Sequence, residues 1–533
     1  MTVTQAAIPQ QRMTHRHQAQ DNADFSIPSY PTHPLTVEAA SEASAGGNAR
    51  ALYFALSSRQ PQRQALDAAR RYLDGALQDV ASLACDLPPA PADLDAWITA
   101  NTASVGERYQ RYLAQRKAGG ARQYFGNKAH ALDFLRSVAP TKTVDGSWLY
   151  GLVHHWNDSR FASLIRIYLE ELGAGMPDKN HVVLYKKLLA AHGCERWDNL
   201  SENHFVQGTI QLALSRHAQH FLPEIIGFNL GYEQLPLHLL ISAYELNELG
   251  IDPYYFTLHV TVDNADTGHA KTALNGLHEA WPVVGDADRF YERVMNGYKL
   301  NMLGADTASV IVAFDLEQAL TTILAEKSAV GRQMHSDYCR VGGRSINDWL
   351  STPEQIPAFL QKLQDSGWIK RGQDPRLSRF WQLLQGERAE MFGVFSAYEL
   401  QVIHDWIAGD TVAAAGPASS AAKTASASDA ALGDTAAPHQ LSFKARTRLQ
   451  EALGQRDAQA STPVVPALEI DRSEDDGDQY SDFDQESRQL AQRLCRLPGQ
   501  DERMQLLADL MSPALHHTPA GLNATRLFVR MFR

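Results

Sequence analysis

The stretch Tyr254–Ala270, YYFTLHVTVDNADTGHA, sets two histidines and two aspartates into an otherwise apolar segment, and its reading decides the fold. The preceding Asp252-Pro253 pair marks a helix start, with Asp as cap and Pro in the first helical position. At roughly 100° per helical residue, His259, Asp263 and Asp266 fall at about 0°, +40° and −20° and share one face. Three ligating side chains on one face make a metal-site pattern. A His and an Asp four residues apart are equally the pattern of a capping or salt-bridged pair, so other acids and histidines must decide. His269 lies at roughly −80° on an ideal helix and joins that face only where the turn around Gly268 is loosened.

Outward from this segment, residues 145 to 279 read as helix after helix, with little β-branched alternation. SWLYGLVHHW, FASLIRIYLEEL, HVVLYKKLLAAHG, FVQGTIQLALSRHAQHFLPEIIGFNLGYE and LPLHLLISAYELNELG are separated by Gly, Pro and Asn. An all-α bundle is the expected fold. Upstream, QALDAARRYLDGALQDVASL and VGERYQRYLAQR are amphipathic, and LPPAPADL breaks them where prolines remove backbone donors. Downstream, helical text runs to Ile407. A small-residue linker follows, then the acidic run EIDRSEDDGDQYSDFDQE, and then an amphipathic tail apolar enough to need a partner surface, expected to dock on the main body. The expected organisation is a disordered N-terminus (1–48), a helical N-terminal region (49–140), a core (141–285), a helical extension (286–409), a flexible linker (410–440) and an acidic, helical tail (441–533).

The totals exclude several function classes. A chain of 533 residues with a formal net charge of −12 has no electrostatic footprint for nucleic acid or an anionic membrane. Cys85, Cys194, Cys339 and Cys495 are scattered without CxxC spacing, which implies neither a disulfide framework nor a zinc knuckle and fits a cytoplasmic location. No secretory h-region and no apolar run of membrane-spanning length is present, so no membrane partner is expected.

Two further ligand sources stand out. In IYLEELGAGMPDKNHVVLYKKLL, Glu170 and Glu171 end one helix, Gly173, Gly175 and Pro177 force a break, and His181 opens the next helix, which lets acid and imidazole converge. Glu233 follows an apolar helix, where a buried carboxylate is costly unless paired or metal-bound. Glu224, nine residues earlier, projects to the opposite face and reads as an acid in a first helical turn. His516 and His517 point about 100° apart on a helix and do not converge on one ion.

The order Glu171, His181, Glu233, His259, Asp263 on a helical scaffold resembles the heme-oxygenase-like diiron oxidases, the iron-containing redox enzymes. EELGAGMPDKNH, NLGYEQ and FTLHVTVDNADTGHA carry the similarity. The resemblance implies a heme-oxygenase-like bundle holding two non-heme iron ions, with a Glu and a His from one helix pair, a Glu from a middle helix and a His-x-x-x-Asp-x-x-His run. Here that run has Asp266 in its last slot and His269 three residues later. Either Asp266 replaces the imidazole or the helix deforms and His269 ligates, and NADTGHA favours His269. The family also places a carboxylate ahead of the first pair, for which Asp145 is the only match.

The implied activity is O2-dependent oxidation of a small metabolite in secondary metabolism: N-oxygenation of an amino acid or amine, desaturation, or oxidative carbon–carbon cleavage. An external electron donor and a homodimeric state belong to the same expectation, and Tyr254, Tyr255 and Phe256 are candidates to line the substrate cavity. The alternatives are a non-catalytic helical scaffold or regulator, a heme-binding protein of the same fold, and a cysteine hydrolase built on Cys194.

Overall fold

Local capping chemistry explains where most helices begin. In the computed structural model, which describes residues 48–262, 268–386, 389–409 and 482–532, Asn48, Asn127, Asn180, Asp286, Asp306 and Asp315 each accept a backbone N–H of the following first turn. A full capping box, Ser396 with Glu399, opens the helix Ala397–Ala408. The fold is all-α, interrupted among the described residues by one two-residue hairpin pairing Arg340–Val341 with Arg344–Ser345. The expected disordered N-terminus, the linker and most of the acidic run lie outside the described residues, as do Asp263 and Asp266. None of the described helices is by itself long and apolar enough to cross a membrane.

Two helical stretches are each divided by a turn. FVQGTIQLALSRHAQHFLPEIIGFNLGYE divides into Glu202–Arg216 and Leu222–Tyr232, because Pro223 starts a new first turn after the His217–Phe221 turn. ASVIVAFDLEQALTTILAEKSAVG divides into Thr307–Val312 and Leu316–Gly331, with Asp315 capping the second helix at the Gln318 N–H.

The apolar side chains form two clusters. One gathers Leu164, Ile167, Tyr168, Leu172, Phe228, Leu230, Ala270 and Leu274 with the early helices and the tail. The other gathers Phe134, Tyr185, Leu246, Tyr255 and Phe256 with the helices beyond residue 310. Helices bearing the predicted ligands come from both clusters, so the polar groups sit at their seam.

The tail docks as its amphipathic pattern requires. From the helices Gln500–Leu510 and Pro519–Phe532, Met504, Leu507, Ala524 and Phe528 enter the first cluster fully buried, and the Tyr168 hydroxyl donates to the Met511 carbonyl at 2.5 Å. His517 accepts from Lys186 Nζ at 2.7 Å, and burial followed by that ammonium lowers its pKa to about 4. An unfolded imidazole titrates near its ordinary value of 6.5. Between that value and about 4, the unfolded chain therefore takes up a proton that the folded one refuses, and stability falls as pH falls. Urea midpoints at pH 7 and pH 5 should drop less in His517→Gln than in the wild type.

Candidate metal centre

The helix Ala162–Glu171 ends at the acid that anchors the site. Beyond it Gly173 (φ +61°), Ala174 (φ +49°) and Gly175 (φ +84°) turn the chain in left-handed conformations, and the helix His181–Ala191 returns with His181 as its first residue. The elbow sets His181 Nδ1 2.6 Å from Glu171 Oε2. Asp145 arrives from a turn before the helical segment starting at Ser147, and Gly146 is required behind it. Its φ is +76°, and a Cβ there would lie 2.9 Å from the Glu171 Cβ.

The helix Tyr254–Val262 supplies His259, whose Nε2 lies 3.3 Å from Asp145 Oδ2. Its Nδ1 donates to the Tyr255 carbonyl at 2.8 Å, which fixes the tautomer and leaves the Nε2 lone pair facing the site. The next helix, His269–Glu279, begins at His269 after an extended Gly268, so the run is not one straight helix through residue 269. This break is what brings His269 in. Its Nδ1 lies 3.0 Å from Glu233 Oε2 and 3.4 Å from Glu171 Oε1, while its Nε2 lies 2.9 Å from Glu170 Oε2. Glu233 caps the C-terminus of the helix Leu222–Tyr232.

Two donor groups result. Asp145, Glu171, His181 and His259 form one, and Glu171, Glu233 and His269 form the other. Within each group the ligating atoms lie within 4.8 Å of one another, and Glu171 belongs to both. All six residues are buried, none more than 7% exposed.

Burial by itself would lift the Glu171 carboxyl, but His181 and His269 outweigh it and hold the group well below the usual carboxylate range. Burial likewise opposes ionisation of Asp145, and Lys142, with Nζ at 3.7 Å, and His259 overcome it. For His181, burial disfavours the charged form and the Glu171 carboxylate reverses the balance, raising its pKa. Three buried carboxylates against three imidazoles and one lysine form an oxygen and nitrogen donor set suited to iron, manganese or zinc.

Other predicted residues go elsewhere. The hydroxyl of Tyr255 donates to Asp145 Oδ2 at 2.7 Å, Phe256 packs in the second apolar cluster, and the Tyr254 hydroxyl donates to the Asp178 carbonyl. Tyr255 thus orients a candidate ligand. Glu224 pairs through both oxygens with Arg293, and His154 and His155 bond Gln505 and Gln219, apart from both donor groups. Cys194 is buried with its thiol pushed up to about 12, mainly by burial, which leaves it no nucleophilic thiolate at neutral pH.

The sequence marked Glu170 only as the neighbour of Glu171 in an acid pair, and gave no role to Lys142 or Asn180. Glu170, with its side chain about half exposed, stands behind His269 as a carboxylate–imidazole pair, the arrangement that fixes a ligating ring. Glu170→Gln should keep the fold and lower metal affinity about tenfold, read by competition titration against a chelating dye.

The family model described as iron-containing redox enzyme matches residues 132–302, the span that contains all six buried donors. Comparison with curated proteins and with solved structures returns no match. Residues 132–302 are thus similar to the iron-containing redox enzymes, a match that supports an iron oxidoreductase in general terms.

Proposed function

We propose that the two donor groups hold two non-heme iron ions and that the protein uses them, with O2 and an external electron donor, to oxidise a small metabolite. Amine or amino-acid N-oxygenation, desaturation and oxidative carbon–carbon cleavage are the reactions in view. One observation carries the reading: two buried sets of carboxylates and imidazoles overlap in a single residue, Glu171, as a carboxylate between two ions requires. Asp145, His181 and His259 would hold one ion and Glu233 and His269 the other. Bound ferrous iron supplies the electrons and open coordination positions for O2 reduction.

The chain's own residues prepare that chemistry. The Tyr255 hydroxyl and Lys142 fix the orientation and charge of Asp145. The Tyr255 carbonyl and the Glu170 carboxylate each engage one ring nitrogen, of His259 and His269, leaving the other ring nitrogen toward the acids. Tyr168, Tyr185 and Leu172, all fully buried, help exclude bulk water around the donors, which strengthens every charge interaction among them. Glu170 reaches solvent and accepts a hydrogen bond from His269 Nε2.

Anaerobic titration with ferrous iron should saturate near about two equivalents per chain. The reduced, loaded protein should then consume O2 when the right amine or amino acid is added. A purified protein that takes up no iron, or takes up as much after His259→Ala, would falsify the assignment.

A further inference from the structure

The elbow between Glu171 and His181 is held from outside the family segment, by the C-terminal tail. Asn180 is the link. It is fully buried, its Oδ1 accepts the Val183 N–H and thereby caps the helix that His181 begins, and this fixes which way its amide points. The Nδ2 then faces two acceptors, the Leu172 carbonyl at 3.2 Å, one residue after Glu171, and His516 Nδ1 at 3.2 Å. Since Nδ2 can only donate, His516 receives the bond as a neutral imidazole protonated at Nε2. A second contact lies on the same elbow: Arg526 Nε donates to the Gly175 carbonyl at 3.0 Å, and Gly175 lies so close under Leu522 that any side chain there would meet the Leu522 carbonyl. The tail thus grips both the start of the returning helix and the glycine turn.

We infer that His516 is a positioning residue for the metal centre, setting through Asn180 the spacing between the Glu171 carboxylate and the His181 ring. This rests on the assignment of those two residues as metal ligands. The elbow itself has little to hold it, being three consecutive left-handed residues, Gly173, Ala174 and Gly175, of which Ala174 pays a steric penalty. An acceptor delivered from 336 positions along the chain closes the one donor that Asn180 has left after capping its helix and binding Leu172. Without it that N–H is buried and unpaired, Asn180 has reason to rotate, and the first turn holding His181 loses its cap.

The test uses the full chain and Co2+ as an optical probe in place of iron. His516→Ala should weaken Co2+ binding about tenfold and alter the visible d–d bands, whereas His516→Gln, whose amide oxygen can accept from Asn180, should restore most of the affinity. Arg503→Ala, on the tail and bonded among the described residues to the Leu497 carbonyl alone, should leave both readouts at wild-type values. A His516→Ala protein with the wild-type Co2+ dissociation constant and spectrum overturns the inference. If that variant loses helical circular dichroism, Arg526→Met decides by the same two readouts, weakened binding supporting the clamp and unchanged binding overturning it. A wild-type protein that loses Co2+ on His259→Ala but not on His516→Ala leaves the metal centre standing and removes only the clamp.

Discussion

Glu171→Gln should empty both donor groups at once, taking iron uptake from about two equivalents per chain to almost none, while Asp145→Asn should leave about one. The difference follows from sharing. Glu171 offers Oε2 to His181 and Oε1 to His269, and each group of ligating atoms includes it, whereas Asp145 enters only one. An amide of the same shape keeps the packing but loses the charge that balances two imidazoles and two ions. Without metal, the same change leaves His181 and His269 short of their acidic neighbour in a buried place, and the cost to stability should be about 1–3 kcal/mol. The bundle should survive, because the two apolar clusters and not the ions fill its core. Anaerobic iron titration followed by plasma emission analysis, with circular dichroism as the folding check, reads both effects. Equal iron uptake by Glu171→Gln and Asp145→Asn would sink the shared-carboxylate reading.

The legible part of this centre lay where local chemistry is unusual. A glycine-rich interruption between an acid pair and a histidine pointed to convergence of Glu171 and His181, and the carboxylate after an apolar helix marked Glu233. Both need only the rule that buried charge must be partnered. The angular argument for His259, Asp263 and Asp266 assumed one straight helix, and Asp263 and Asp266 lie outside the described residues. Gly268 is extended ahead of the helix that starts at His269, so the same wheel cannot be carried as far as His269.

Asp145 carries no periodicity signal at all. It sits in a turn, and what places it is the close approach of Gly146 to Glu171, a tertiary fact. Glu170 read as an ordinary acid at a helix end because half its side chain is in water, and its pairing with His269 spans 99 residues. The tail's need for a partner surface was plain from its amphipathic pattern. That it would meet the ligand elbow was not, since Asn180 and His516 become neighbours only in the folded chain.

Gly227→Ala should be among the most damaging single-methyl changes in the protein and should damage the metal centre from a distance. The helix Leu222–Tyr232 lies against Ala287–Lys299 through reciprocal glycines: a Cβ at Gly227 would overlap the Val294 carbonyl oxygen, and one at Gly297 would overlap the Glu224 backbone. These are backbone atoms of a rigid helix, so no side chain can swing aside, and the helices must separate. Overpacking of this kind costs about 3 kcal/mol, or about 3–4 °C in Tm for a unit of this size. Glu233 immediately follows the displaced helix, so weaker binding should appear first in the group of Glu171, Glu233 and His269. Gly75→Ala is the matched control. It lies in the helix Arg63–Val80 with open space where the methyl would go, and there the better helix propensity of alanine should raise stability by about 0.5–1 kcal/mol. Calorimetry and stepwise iron titration of the two variants separate the effects: if Gly227→Ala melts and binds like the wild type, the close helix contact does not hold Glu233 in place.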